Sequence, residues 1–189
     1  IGSFKLGINQ PLEQLQLSQL IENLAENCPG IFLDISQSAT GQIIEDITQG
    51  KLDGGYIYGE VPESLVGIKI KSEKITTIAP KGFDDKAILT ANDLLKYDWI
   101  TMGQYCPFDQ MVKKKLGNNL KTKVQTSNEH SRLALVRSGI GLSLLEFSLA
   151  KKHHQQDEII ILPQLDFAMD LTFVVAKKQQ NEPLIKALQ

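Results

Sequence analysis

The sequence is poor in features that commit a chain to one chemistry. It carries two cysteines in 189 residues, Cys28 and Cys106, far apart and in no metal-ligand spacing. A disulfide framework is therefore excluded, and a reducing compartment, the cytoplasm, is the expectation. Charge of one sign is also lacking. Twenty Lys and Arg against 22 Asp and Glu, without blocks, leave a net charge of -2. Such a chain has no electrostatic footprint for a nucleic-acid backbone or an anionic lipid surface, so it should not bind DNA by itself. No run approaches the roughly eighteen apolar residues of a membrane span, so no membrane partner is expected. Ile1-Gly2-Ser3-Phe4-Lys5 does not read as a signal peptide, and a chain that starts without methionine is expected to be a piece of a longer one. No Gly-x-Ser-x-Gly elbow, Walker loop, His-Glu-x-x-His or dinucleotide fingerprint occurs, and an enzyme has no motif to rest on. No catalytic residue, metal ligand or cofactor is expected; the adjacent His153 and His154 would point to different faces of a helix.

What the sequence does hold is a hydrophobic share of 42%, enough for one domain or two small lobes burying roughly 70% of their unfolded surface. Its most informative run is 50–59, Gly-Lys-Leu-Asp-Gly-Gly-Tyr-Ile-Tyr-Gly: a helix stop, a corner, then an apolar strand. Before it, Thr40 is placed to cap an amphipathic run with Ile43, Ile44 and Ile47 that Gly50 ends. Upstream, 4–8 alternates like a strand, Leu17, Leu20, Ile21 and Leu24 follow helical spacing up to Pro29-Gly30, and 31–35 reads as a covered strand. The order is β-α-β-α-β. Downstream, 66–79 is β-like up to Pro80, Asp93-Leu94-Leu95 reads as a short helix, and 99–101 as a strand. Pro107 suits the first turn of a helix that Gly117 ends. A strand around 123–125 follows, then a helix capped by Ser127, then a glycine-bearing strand at 140–145 whose small residues imply a close approach to a helix. A polar helix, separate strands at 159–162 and 171–176, and a last helix from Glu182-Pro183 complete the chain. No internal repeat appears.

These elements, in order, resemble the effector-binding domain of LysR-type transcriptional regulators. The residues that carry the likeness are Lys5-Leu6-Gly7-Ile8, Cys28-Pro29-Gly30-Ile31-Phe32-Leu33, Gly50-Lys51-Leu52-Asp53, Leu94-Leu95 with Trp99-Ile100, and the glycine-rich stretch 136–145. The resemblance implies a periplasmic-binding-protein-like (type 2) α/β fold. Two Rossmann-like lobes, 1–80 with 163–189 and 81–162, would be joined by two crossover strands and hold a small molecule in the seam. It also implies a winged helix-turn-helix ahead of Ile1 that alone contacts DNA, and a homodimer or homotetramer that sets residues 16–26 of one subunit against 128–138 of another. Three residues depart from the family pattern. Glu146 stands where proline is common after the glycine-rich strand, and Gly54-Gly55 stand where bulkier apolar residues are typical.

In an open α/β sheet, ligands settle outside the carboxyl ends of strands. In the first lobe this selects Asn9, Gln10 and Leu12, then Ser38 and Thr40, then Tyr58 and Glu60. In the second it selects Met102, Gly103, Gln104 and Tyr105, then Thr126, Ser127 and Asn128, then Glu146. Thr40 and Ser127 serve equally well as plain caps, and Gln104 and Tyr105 as solvent-exposed loop. Asp109 and Glu129, at helix starts, complement the helix dipole, whereas Glu60 and Glu146 point to an effector with a cationic or hydrogen-bond-donating group. Cys106 ahead of Pro107 is either a thiol with lowered pKa or, with no second cysteine nearby in sequence, an inert small residue. Sensing competes with two other functions: an extracytoplasmic solute-binding protein of an uptake system, and an enzyme on the same two-lobed scaffold.

Overall fold

The alternation at Phe4, Leu6 and Ile8 becomes β1 (Ser3–Ile8), which buries those side chains and exposes Ser3 and Lys5. In the computed structural model, which describes residues 2–15 and 17–187, the chain continues through α1 (Leu12–Leu15), α2 (Ser18–Asn27), β2 (Phe32–Gln37), α3 (Thr40–Thr48) and β3 (Gly54–Tyr58). A long strand, β4 (Leu65–Pro80), leads to two 3-10 helices, Asp85–Ala87 and Ala91–Lys96. Then come β5 (Asp98–Thr101), α4 (Pro107–Leu116), β6 (Lys121–Gln125), α5 (Glu129–Arg137), β7 (Ser143–Glu146) and α6 (Phe147–Gln155). A second long strand, β8 (Ile159–Ala176), precedes α7 (Pro183–Ala187). Two compact units result, Ile1–Lys71 with Asp170–Gln189 and Ser72–Met169, and the chain passes between them inside β4 and inside β8. Pro80 and Pro163 both lie in the second unit.

In the first unit β1 pairs in parallel with both β2 and β3, and β3 pairs antiparallel with residues 171–175 of β8. Parallel neighbours on both sides of β1 require a helical crossover each way, which α2 and α3 supply. The core forms where α3 lies on the sheet: Ile43, Ile47, Leu52, Ile57, Leu65, Val174 and Ala176. Close packing there accounts for the small residues of β3. A Cβ on Gly55 would lie 2.6 Å from Ile43 Cγ2 and 2.9 Å from the Gly7 carbonyl oxygen, and one on Gly7 would lie 2.7 Å from Leu52 Cδ1. Bulk at these positions would lift α3 off the sheet.

In the second unit β4 pairs antiparallel with β7, and β5 pairs in parallel with β6 through a bulge at Trp99 and Ile100. Its core is Ile78, Ile100, Leu133, Val136, Leu145, Ala150 and Ile159. Trp99 is fully buried and donates its indole N–H to the Leu94 carbonyl at 3.0 Å, satisfying the one polar atom such a ring brings inside. Pro107 opens α4 and Gly117, at φ 79°, ends it, as the sequence indicates.

Four expectations need correction. Thr40 is the first helical residue of α3, and Ala39 occupies the cap position. Ser127 precedes the true cap of α5, Asn128, whose Oδ1 accepts the Ser131 N–H at 2.8 Å. The strands expected at 159–162 and 171–176 are one continuous strand with Pro163 inside it. Gly141 makes its close approach to a strand, not to a helix: a Cβ there would lie 2.7 Å from the Asp98 carbonyl oxygen.

Candidate functional site

In the first unit the predicted residues at the carboxyl ends of β1 and β3 form a connected polar set. Gln10 is 2% exposed and Tyr58 4%, and the Tyr58 hydroxyl donates to Gln10 Oε1 at 3.4 Å. Thr40 was expected to cap α3; its Oγ1 instead accepts the Tyr58 backbone N–H at 3.1 Å and Asn9 Nδ2 at 3.5 Å. The hydroxyl thus fastens the start of α3 to the end of β3. Two atoms of this set, Gln10 Nε2 and Asn9 Oδ1, are buried without a hydrogen-bond partner among the described residues. Unsatisfied buried amide atoms are costly and need a reason, such as a ligand or water that completes them. Ser38 lies alongside, its N–H donating to the Ile8 carbonyl at 3.0 Å. Leu12, 45% exposed, and the exposed Glu60 make no polar contact with this set among the described residues.

The second unit arranges its candidates differently. The amides of Met102 and Gly103 look available for an anion, but both donate to Asp109 Oδ2 at 2.8 Å. Asp109 is 8% exposed and acts as an internal anion that consumes the donors of its own loop, a larger role than complementing the α4 dipole. Burial raises its pKa against the two amides and Arg132. Gln104 and Tyr105 project into solvent, and the Gln104 carbonyl accepts Gln110 Nε2 at 3.0 Å. Thr126 Oγ1 accepts the Asn128 N–H at 3.3 Å, leaving Ser127 exposed at the tip of the turn.

Cys106 packs its sulfur 3.4 Å from Met102 Sδ. Burial, and then Asp109, push the thiol up to about 12. A thiolate is strongly disfavoured there, so the inert alternative holds and a low-pKa sensor does not.

Glu146 ends β7 and caps α6 while only 4% exposed. Burial, followed by the facing carboxylate of Glu129, pushes its carboxyl up to about 7. Arg132, also 4% exposed, reaches from α5 to donate to the Leu144 carbonyl at 2.6 Å and Ser143 Oγ at 3.3 Å. It carries positive charge toward Glu146, Asp109 and Cys106 alike. Arg132 is the main residue absent from the sequence-derived set. Its one signal was being the nearest guanidinium to several acids, while its role depends on a tertiary contact with β7.

Among the described residues no group of three or more His, Cys, Asp or Glu could hold a metal ion. His153 pairs with Glu158 at 2.7 Å, and His154 Nδ1 faces the Ile159 carbonyl at 3.0 Å. No helix among them is long and apolar enough to cross a membrane.

Comparison with known proteins gives consistent results. The family model described as the LysR substrate binding domain matches residues 1–189. A probable RuBisCO transcriptional regulator of Cyanidium caldarium is 24% identical over 163 residues, which cover 80% of this chain and 51% of the relative. The chain therefore spans about half the length of that relative. The effector binding domain of QuiR in complex with shikimate superposes with a TM-score of 0.77 at 16% identity, covering 99% of this chain and 93% of that one. The CcmR regulatory domain of Synechocystis in complex with 2-PG also gives 0.77, at 14% identity, with coverage of 98% and 93%.

Proposed function

The chain belongs to the LysR substrate-binding domain family, with its periplasmic-binding-protein-like type 2 fold, and from that membership we propose that it is the effector-sensing part of a bacterial transcription factor. Each unit by itself offers candidate ligand-holding residues at its strand ends: Gln10, Asn9, Thr40 and Tyr58 in the first, and Thr126, Ser127 and Glu146 in the second. The observation that carries this reading is the buried amide of Gln10. Its oxygen is engaged by Tyr58 and its nitrogen has no acceptor among the described residues; a polar ligand supplies one, and a purely structural glutamine has little use for the defect.

An effector group held at Gln10 would be a hydrogen-bond acceptor, and one held at Glu146 would be cationic or hydrogen-bond-donating. Control of DNA would run through a winged helix-turn-helix upstream of Ile1, and only insofar as the ligand favours one of two states of the assembly. The domain senses and does not catalyse, works in the cytoplasm, and assembles as a dimer or tetramer through residues 16–26 and 128–138. Gln16 lies outside the described residues, while Ile21 on α2 is 47% exposed and offers apolar surface for such a contact. The names of the relatives favour regulation over a solute-binding protein of an uptake system, since the Cyanidium caldarium relative is named as a probable transcriptional regulator.

Thermal denaturation with a panel of amino acids and simple carboxylates tests the proposal. A ligand at a hundred times its Kd should stabilise by about 2.7 kcal/mol, and Gln10→Ala should reduce that gain while leaving the unliganded transition in place. Stabilisation by polyanions alone would overturn it.

A further inference from the structure

A hollow in the second unit is built from segments that the strand-end candidates do not use. Its volume is about 380 Å³, and its polar walls are Thr90, Asn92, Lys115, Gln164 and Asp166. Thr90 and Asn92 stand at the start of the 3-10 helix that leads into β5, and Lys115 in the last turn of α4, which leads into β6. Parallel strands need a crossover, and α4 returns the chain from the end of β5 to the start of β6. Both segments therefore approach the ends at which these strands begin. Residues 102–105 and 126–128 follow the ends at which the same strands stop, so the hollow and those candidates lie at opposite rims of this sheet.

The remaining wall comes from β8, where Gln164 and Asp166 are two residues apart and share one face of the strand. Gln164 Nε2 donates to the Ile88 carbonyl at 3.0 Å, which fixes the amide, and its Oε1 is buried without a hydrogen-bond partner among the described residues. With the nitrogen committed, the oxygen calls for a donor that the fold itself does not supply. Asp166, half-buried, accepts the Thr76 hydroxyl on Oδ1 at 2.5 Å. Its Oδ2 is 3.9 Å from Lys74 Nζ, which sits 3.6 Å above the Phe147 ring. A carboxylate has about four acceptor positions, and these contacts leave room for another donor. Lys115, exposed on α4, brings a cation, and the exposed Asn92 can donate or accept. Leu116 and the buried Leu165 supply apolar lining.

An amide oxygen beside a carboxylate on one wall, and an ammonium on another, match a ligand that carries both charges. A simple anion would face Asp166 and a simple cation Lys115, each without compensation. We propose that this hollow is a second small-molecule site and takes a zwitterion of the amino-acid class. The ligand ammonium donates to Gln164 Oε1 and Asp166, and the ligand carboxylate accepts from Lys115 and Asn92. The volume lies at the small end of the roughly 300–1,000 Å³ usual for such sites. The site is independent of the effector reading above, because it uses none of the strand-end residues.

The test is an NMR titration of the full chain, labelled with nitrogen-15, with free glycine, free alanine and free β-alanine. At least one of them should give saturable shifts at residues 90–92, 115–116 and 164–166 and at the Gln164 side-chain amide, with a Kd on the order of 1 mM. Acetate, methylammonium and glycerol should bind at least about tenfold more weakly. Asp166→Asn, which keeps an oxygen for Thr76, should weaken the zwitterion about tenfold. Lys115→Ala should weaken it about threefold, since an exposed ion pair is worth little. Gln164→Leu should abolish saturation, and the other two variants carry the test if that one does not fold. Failure of all three amino acids to saturate overturns the site, and equal binding of glycerol overturns the zwitterion class. Shifts confined to residues 126–129 and 146 would assign the amino acid to the strand-end candidates, overturning this site while leaving the effector reading standing. Gln10→Ala reads that other proposal separately and should leave the shifts at 164–166 unchanged.

Discussion

At the scale of single residues, Glu146 ties stability to pH. Its carboxyl stays protonated in the folded state up to about 7, whereas an ordinary glutamate has released its proton near 4.5. Between those values the folded state binds more protons than the unfolded chain, so stability falls as pH rises through the window and levels off above it. Stability derived from urea unfolding across this range should drop by about 3 kcal/mol, and Glu146→Gln should flatten the profile. Cys106 should behave as its environment dictates: with its thiol pushed up to about 12, it should react with a disulfide reagent at pH 8 only through local opening, well after the half-buried Cys28. Equal rates for the two would contradict its burial. Glu146 was legible in the sequence as an acid where the resembled family favours proline. Asp109 and Arg132 were not legible as organisers, because one spends its charge on amides six and seven residues back, and the other on a strand eleven and twelve residues ahead. Neither pairing leaves a periodic trace.

At the scale of elements, α3 and β3 pack by the near absence of side-chain volume between them. Gly55→Ala should cost about 1 to 3 kcal/mol, since its Cβ would press on Ile43 Cγ2 and on the Gly7 carbonyl oxygen; chemical denaturation measures this directly, and Ile43→Ala, which removes Cγ2, should cost less in the Gly55→Ala background than in the unaltered chain. This stretch was the clearest in the sequence, because the helix stop, corner and apolar strand are all local signals. Element ends were less clear. Thr40 reads as a cap by residue type, but the Tyr58 N–H recruits its hydroxyl across the unit. Pro163 reads as a break between strands, yet an exposed residue in extended backbone tolerates proline without interrupting the strand. The contacts that decide both cases come from residues far away in the chain.

At the scale of the whole molecule, one unit is a single stretch of chain and the other is assembled from two. Residues 72–169 contain every member of the second core, so this fragment should fold with a cooperative urea transition when expressed by itself. Residues 1–71 should not, because all five residues of β3 pair with positions 171–175; circular dichroism of the two fragments checks both statements. No local signal marks a passage that occurs in mid-strand, and the bounds expected at Pro80 and Pro163 differ from those at Lys71 and Met169. Because β3 waits for a partner that lies more than a hundred residues further on, a ribosome making this chain delivers the interior unit before the outer one can close. Residues 1–71 must stay soluble, with the β3 edge open, until 171–175 have been made. A stop placed a few residues before Leu171 would therefore harm residues 1–71 more than residues 72–169.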